Sequence, residues 1–510
     1  MSTIDLRGCV VAVIGAGTMG AGIAQIAAQA GHLVWLHDAR EGAAAAACEQ
    51  LATTLRGLTA KGKLTQEAAD AAIGRIRPAA QLADLADAGL VIEAIVENLA
   101  IKQGLLRDLE ALLAPTAVLA SNTSSLSITA LAKGLVQPGR VVGMHFFNPV
   151  PLMKLVEVVS GLRTDPLVAE AVHALSGHWG KTAVHARSTP GFIVNRIARP
   201  YYAEALALLQ ERAATPVQID AALRGAGFRM GPCELMDLIG HDVNYAVTES
   251  VFAANYGDKR FVPSLVQKEL VDAGLLGRKS GAGFYRYPND PAPLAPAGEM
   301  VSLAGRPLVV HGSDRMAERL AQALEAHGLS VTRDTGSGWT GVAIGAGQLR
   351  QTDGRCAQQL AAELGCADVA VFDWALTDTP RAALAHAVAF SASAIFASEC
   401  AALLQIAGFL PIAVGDVAGL VVARTIAMLI NEAADAVQQG VCDAAGADIA
   451  MKLGTGYPAG PFEWLLQLGG GEVITLLDAL QQATRSERYR VSPWLCQQVW
   501  QRAVVSFRAS

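Results

Sequence analysis

The segment "VVAVIGAGTMGAGIAQIAAQAGHLVWLHDAR", residues 10–40, constrains the fold more than any other stretch. An apolar strand pattern runs straight into Gly15-x-Gly17-x-x-Gly20. An alanine-rich helical pattern follows as far as Gly31, and a second apolar strand ends at Asp38. The first glycine allows the tight turn, the second lets backbone approach a pyrophosphate, and the third lets helix and strand pack closely. The helix N-terminus then faces the phosphates. An acid about 20 residues beyond the turn accepts hydrogen bonds from a ribose. Asp38 stands there, favouring NAD over NADP by repelling a 2′-phosphate, with Arg40 as a small counterweight. The alternative, a glycine-rich turn in some other α/β protein, requires none of the flanking features.

At 510 residues the chain is too long for one core. Its apolar, alanine-rich composition and net charge of −6 argue for buried globular domains. They offer no basic face for nucleic acid or anionic lipid. The eight cysteines form no CxxC pair, and no His/Cys cluster has metal-ligand spacing, so no metal is expected. No signal-peptide pattern opens the chain, and the most apolar window, residues 400–415, is shorter than a bilayer span and reads as a buried helix. The expectation is a cytoplasmic protein with no membrane partner.

Further strand patterns, "LVIEAI" (90–95), "AVLASN" (117–122) and "VVGMHFF" (141–147), alternate with helical ones. Strand ends in such sheets line the ligand crevice at the carboxyl edge. Glu97, Asn122, Thr123, Ser124 and Ser125 follow those ends, with Lys102 just beyond Glu97. The plain alternative makes Glu97 a helix-start acid, Lys102 a solvated base and Ser124 a helix cap.

"HFFNPVPLMKLVEVV" (145–159) reads as a hairpin with a long loop. A loop symmetric about Pro151 opposes 145 to 157, and opposed residues share a face. His145 and Glu157 can then hydrogen-bond. A neutral imidazole so held takes a proton from an alcohol while the carboxylate fixes its tautomer. The alternative is a purely structural cross-strand bond.

These motifs, with "EAIVENLAIK", "SNTSSL", "TPGFIVNRI" and "GRKSGAGFYRY", resemble the (3S)-3-hydroxyacyl-CoA dehydrogenases in order from about residue 5 to 288. The resemblance implies that His145 is the general base and Glu157 its partner. Asn195 and Ser124 hold the 3-oxygen. Gly15, Gly17, Thr18, Met19, Gly20, Asp38, Glu97, Lys102 and Asn122 serve NAD. The substrate is an acyl-CoA thioester, and Lys61 and Lys63, in a turn between two helical patterns, are candidates for its phosphates. "STPGFIVNR" places Ser188 or Thr189 at a helix N-cap with Pro190 in the first turn, and Asn195 less than two turns in. An inter-domain hydrogen bond is the alternative use of that amide.

Residues 288–299, rich in proline, read as a linker. Beyond it, "PLVVHGSDRMAERLAQALEAHGLSVTRD" repeats the opening rhythm with only Gly312 kept; Asp314 and Ala317 replace Gly17 and Gly20. A carboxylate where the pyrophosphate should lie argues against dinucleotide binding there. Residues from about 416 then mirror those from about 188. Glu204 matches Glu432 and Asp220 matches Asp448, but Ala423 stands at the place of Asn195. The expected organisation is a Rossmann-type NAD-binding α/β domain (1–187) and an all-α substrate and dimerisation domain (188–287). The linker follows, then a degenerate small α/β segment (300–410) and a second all-α copy (411–510), with one active site in all. In shorter enzymes of the resembled family the helical domains pair between subunits. The chain is therefore a homo-oligomer, or a monomer with an internal pseudo-dimer. Two other functions stay open: a dehydrogenase of a free hydroxy acid or sugar acid, and a non-catalytic NAD-binding protein. Acyl length is not fixed; Arg196, Arg199 and Arg229 are candidates to meet a terminal carboxylate.

Overall fold

The strand–turn–helix–strand opening forms as its pattern dictates in the computed structural model, which describes residues 4–288, 294 and 301–509. The expected linker, 288–299, lies outside the described residues apart from Pro288 and Leu294. Strands β1 (Val11–Ile14), β2 (Val34–His37), β3 (Ile76–Ala79), β4 (Leu90–Glu93), β5 (Val118–Ser121), β6 (Val141–Phe146), β7 (Leu155–Ser160) and β8 (Thr182–Arg187) build one sheet. Their order is β3-β2-β1-β4-β5-β6-β7-β8. Strand direction reverses between β6 and β7, and β8 runs parallel to β7. β1, β4, β5 and β6 are buried along their whole length, as continuous apolar runs in a covered parallel sheet should be. β3 and β8, which the pattern reading does not foresee, are the two edges. Pro78 sits in one, and exposed polar residues alternate along the other.

The chain packs as two compact units, Met1–Arg196 with Gln439–Thr455, and Ile197–Gln438 with Gly456–Ser510. Residues 188–196 therefore group with the first sheet, because their backbone bonds to β7. Helix Ala444–Thr455 joins them: Arg187 N–H donates to the Val441 carbonyl, and Arg196 Nη1 to Gln439 Oε1 at 2.8 Å.

In the second unit, β9 (Leu308–His311), β10 (Val331–Asp334), β11 (Gly341–Ile344), β12 (Gly347–Gln351), β13 (Val369–Phe372), β14 (Ala383–Val388) and β15 (Leu410–Ala413) form a sheet ordered β10-β9-β11-β12-β13-β14-β15. The apolar window 400–415 is not one helix. It divides between helix Ala394–Ile406 and edge strand β15, because Gly408, at φ 85°, ends the helix and Pro411 is tolerated at an edge.

The remainder of the two helical copies lies in this unit and packs through helices Arg199–Gln210 and Val422–Gln438. Buried Glu204 accepts from Arg488 and Arg424, while buried Glu432 pairs with Arg260 at 3.2 Å. Arg260 and Arg488 occupy equivalent places in the two copies, as do Glu204 and Glu432. Reciprocal pairs of this kind are the mark of a two-fold-related interface, here within one chain. Among the described residues no helix is long and apolar enough to cross a membrane.

Candidate active site

Gly15 opens the turn at φ 105°, where a Cβ would lie 2.6 Å from the Ala94 carbonyl oxygen. At Gly20 a Cβ would lie 1.7 Å from the Gly15 oxygen, so the close helix–strand packing admits glycine alone. Gly17 differs: a Cβ there meets nothing within 4 Å, and the space in front of the turn belongs to no protein atom. Helix Thr18–Gln29 starts at Gly17 with no side-chain cap and no acid in its first turn. Its free N–H groups fit a pyrophosphate. Thr18 is exposed and Met19 half-buried beside them.

Asp38 follows β2 and accepts from the Ala16 N–H at 2.8 Å and from Arg40 through Nε at 3.0 Å. The Arg40 guanidinium holds its carboxyl far below the usual carboxylate range, helped by the two backbone N–H groups against slight burial. An ionised acceptor at this place suits ribose hydroxyls. These residues fit NAD, which would lie along the carboxyl edge at β1, where the sheet order turns from β2 on one side to β4 on the other.

After β4 the structure shows a buried network that the sequence reading does not anticipate. Lys102 Nζ sits between Glu93, at 2.8 Å, and Glu97, at 3.3 Å, and is 1% exposed. Ser121 Oγ also donates to Glu93. Glu97 Oε1 accepts from Thr123 Oγ1 at 2.5 Å, from the N–H groups of Ser124 and Ser125, and from Ser125 Oγ. Burial pushes the Glu97 carboxyl up, but the Thr123 hydroxyl, Lys102 and the Ser125 and Ser124 donors together hold it below its usual range. Lys102 is thus no solvated base, and Glu97 fixes the turn that presents the exposed Ser124. Asn122 Oδ1 accepts the Phe146 N–H at 2.9 Å, tying the end of β5 to the end of β6. The sequence signal for Glu93 was there to read: an acid closing an otherwise apolar strand.

His145 is directly opposed to Glu157 across β6 and β7, the register a loop symmetric about Pro151 gives. Nδ1 lies 2.5 Å from Glu157 Oε2, and both side chains are buried. Among the described residues Nε2 has no protein partner. Phe147 and Phe192 flank the ring, with centroids 4.5 and 5.8 Å away. Lys181 holds the hairpin loop by donating to the carbonyls of Val150 and Met153, the latter at 2.7 Å. Burial, then the nearby Lys154 charge, brings its ammonium down to about 8. The loop in turn packs on the glycine-turn helix: a Cβ on Gly22 would lie 2.8 Å from Val150 Cβ. Hairpin and cofactor helix are therefore locked together.

Glu157 has a second task. Its Oε1 accepts the N–H groups of Ile193 and Val194, both at 3.0 Å. The expected cap at Ser188 or Thr189, with Pro190 in a first helical turn, does not form. Gly191 and Phe192 take positive φ, 78° and 47°, and the helix starts only at Val194–Ile197. The reason is that Glu157, from β7, already satisfies the N–H groups a local cap would serve. Ser188 Oγ instead accepts the Ile128 N–H at 2.9 Å. Asn195, half-buried, thus sits in the first turn of a helix pinned by the same carboxylate that orients His145.

Lys61 and Lys63 are exposed in the turn between helices Ala43–Ala60 and Gln66–Arg75, with no ion pair among the described residues. Arg196 and Arg199 are buried, Arg199 donating to Thr248 Oγ1, whereas Arg229 is exposed.

The NAD-binding domain model of 3-hydroxyacyl-CoA dehydrogenase matches residues 10–189, and the C-terminal domain model matches 191–287 and again 419–503. The model of the 3-hydroxybutyryl-CoA dehydrogenase reduced Rossmann-fold domain matches 349–417. A 3-hydroxyadipyl-CoA dehydrogenase of Escherichia coli K12 is 43% identical over 94% of this chain and 95% of its own length. The crystal structure of a 3-hydroxybutyryl-CoA dehydrogenase from Escherichia coli K12 superposes with a TM-score of 0.88 at 42% identity, covering 98% of this chain and all of that one. A shorter relative, a probable 3-hydroxybutyryl-CoA dehydrogenase of Deinococcus radiodurans, is 45% identical over 54% of this chain and 99% of its own length. The chain belongs to the 3-hydroxyacyl-CoA dehydrogenase family.

Proposed function

We propose that the chain oxidises a (3S)-3-hydroxyacyl-CoA to the 3-ketoacyl-CoA with NAD, reversibly, in fatty-acid or phenylacetate-type degradation. The observation that carries this reading is the His145–Glu157 pair at the carboxyl edge of a sheet whose glycine turn fits a dinucleotide. When bound, NAD supplies the acceptor for the hydride from C3. His145 Nε2 takes the hydroxyl proton, and Glu157 balances the imidazolium through Nδ1. Asn195 and Ser124 hold the 3-oxygen, each on a turn fixed by a carboxylate, Glu157 for one and Glu97 for the other. Proton transfer of this kind contributes about 10²–10⁴-fold, with positioning adding more. Lys61 and Lys63, both exposed, are the proposed contacts for coenzyme A phosphates. The paired helical copies do within one chain what pairing between subunits does for a single copy, and light scattering that gave a monomer in solution would agree.

The test is NADH absorbance with a short series of 3-hydroxyacyl-CoA thioesters, some ending in a methyl and some in a carboxylate, beside the matching free acids. Turnover of thioesters supports the reading, and the preferred member assigns the acyl group. Turnover of free acids alone would move the chain to the hydroxy-acid class, and NAD binding without any turnover would make it non-catalytic.

A further inference from the structure

On the opposite face of the first sheet from Glu157, helix Pro166–His178 lies against edge strand β8. Glu157 is opposed to Val184, so His185, one residue on, faces the other way. There it meets Glu170 and His173, which lie one turn apart on the helix. The imidazoles of His173 and His185 stack with centroids 4.4 Å apart and planes 8° from parallel, and Glu170 Oε2 lies 3.4 Å from His185 Nε2. One donor atom from each of the three falls within 4.8 Å of the other two. No sequence spacing announces the cluster, because its third member comes from a different element.

We propose that Glu170, His173 and His185 form a site for a divalent transition metal of the zinc type, with a fourth position left to water. Two imidazoles and one carboxylate are a donor set such ions take, at about 2.0–2.2 Å per bond. In a tetrahedral site donors stand about 3.3 Å apart, so these side chains have to close by up to about 1.5 Å. They have the freedom to do so: the Glu170 and His185 side chains are 70% and 50% exposed. Among the described residues His173 makes no hydrogen bond that closure would break. The adjoining open cavity, about 390 Å³, is lined by both histidines, Arg187, Cys442 and Asp443. Cys442 is not a ligand in this scheme: its sulfur is not among the donor atoms that fall within 4.8 Å of one another. A bound ion ties the helix to the sheet edge, away from the His145–Glu157 pair.

The experiment titrates cobalt(II) chloride, then zinc chloride, into the untagged full chain, with calorimetry, visible absorption and thermal melting as readouts. One saturable equivalent is expected, with tetrahedral d–d bands and a melting temperature that rises with metal. His173→Ala and His185→Ala are each expected to weaken binding by at least about 10-fold, and Glu170→Gln to weaken it less. Both histidines lie outside the proposed catalytic machinery, so turnover stays unchanged. The proposal is overturned by the absence of saturable uptake, by uptake in either histidine variant as tight as in the parent, or by a thiolate charge-transfer band assigning the metal to cysteine.

Discussion

One constant displacement along the chain carries His145 onto Asp373, Glu157 onto Ala385, Asn195 onto Ala423 and Glu204 onto Glu432. The copies keep the same mechanical device and differ in what is attached to it. In the first, Glu157 holds the N–H groups of Ile193 and Val194 and also the imidazole. In the second, Asp373 holds the N–H groups of Val421, Val422 and Ala423, at 2.7–2.9 Å, and no imidazole. Both helix starts follow a glycine and a residue at positive φ, Phe192 in one and Leu420 in the other. Ser188 accepts the Ile128 N–H, and its counterpart Asp416 accepts those of Ala357 and Gln358. A carboxylate on the sheet that pins the following helix is thus the shared structural part, and the histidine is what makes one copy chemical.

What the copies share most strongly is their mutual interface, so breaking it has the largest expected effect. Arg260→Met removes the guanidinium that pairs with buried Glu432 and Asp435, and removing one partner of such a pair costs about 3–5 kcal/mol. Denaturant unfolding should show that loss, with Arg488→Met smaller because Arg424 still serves Glu204. If the first helical copy kept its stability in Arg260→Met, the internal pairing would be incidental.

Next comes the chemistry. His145→Gln is expected to lower turnover at least about 10²-fold with NAD affinity retained, since the glycine turn and Asp38 are untouched. Glu157→Gln should lose turnover and thermal stability together, because one side chain serves both tasks. A variant losing activity alone would separate the two roles assigned to that carboxylate.

Most of this architecture was legible in the sequence where a physical constraint acts locally. Glycines 15, 17 and 20 are dictated by turn, ligand and packing, and His145 opposite Glu157 follows from strand periodicity and loop length. The edge strands β3 and β8 escaped because edges need no continuous apolar run. Glu157 capping a helix some 35 residues further on escaped for another reason: the local Ser-Thr-Pro signal is genuine, and only tertiary structure shows that a distant carboxylate has taken the position. Lys102 escaped in the same way, its burial depending on two acids whose approach no spacing rule predicts.

In the second copy, Asp373→Asn should destabilise by about 1–3 kcal/mol, as buried N–H groups lose an acceptor, with turnover per folded molecule unchanged. Its pH dependence sharpens the contrast. Burial pushes the Asp373 carboxyl up to about 6, against the N–H groups that hold it down, and pulls the neighbouring His386 imidazole down to about 4. A raised folded value gives stability that is present below the ordinary 3.8 and lost as pH rises to about 6. A depressed one gives stability present above 6.5 and lost as pH falls to about 4. The two oppose each other over one window, so the parent protein should be nearly flat there. Asp373→Asn should lose stability on acidification from pH 6.5 to 4, and His386→Phe should gain it. Parallel slopes in the two variants would break the assignment.

The smallest effect is expected where the second copy departs from the dinucleotide turn. Asp314 caps helix Arg315–Ala326 by accepting the Ala317 N–H at 2.9 Å, and Thr340 Oγ1 donates to the same carboxylate. The helix end that is open in the first copy is thus closed by its own side chain. Asp314→Gly restores the second glycine of the turn and should cost only a few tenths of a kcal/mol, since glycine is itself tolerated at an N-cap. It should nonetheless leave calorimetric NAD stoichiometry at one per chain. The reason lies in the sheet: β11 runs antiparallel to β9 where β4 runs parallel to β1, and it brings Trp339 onto His311, with ring centroids 4.0 Å apart. Trp339 and Thr340, leading into β11, line the crevice beside β9, and a missing glycine is only the visible part of that difference. A second equivalent of NAD bound by Asp314→Gly would place the whole difference between the copies in one residue.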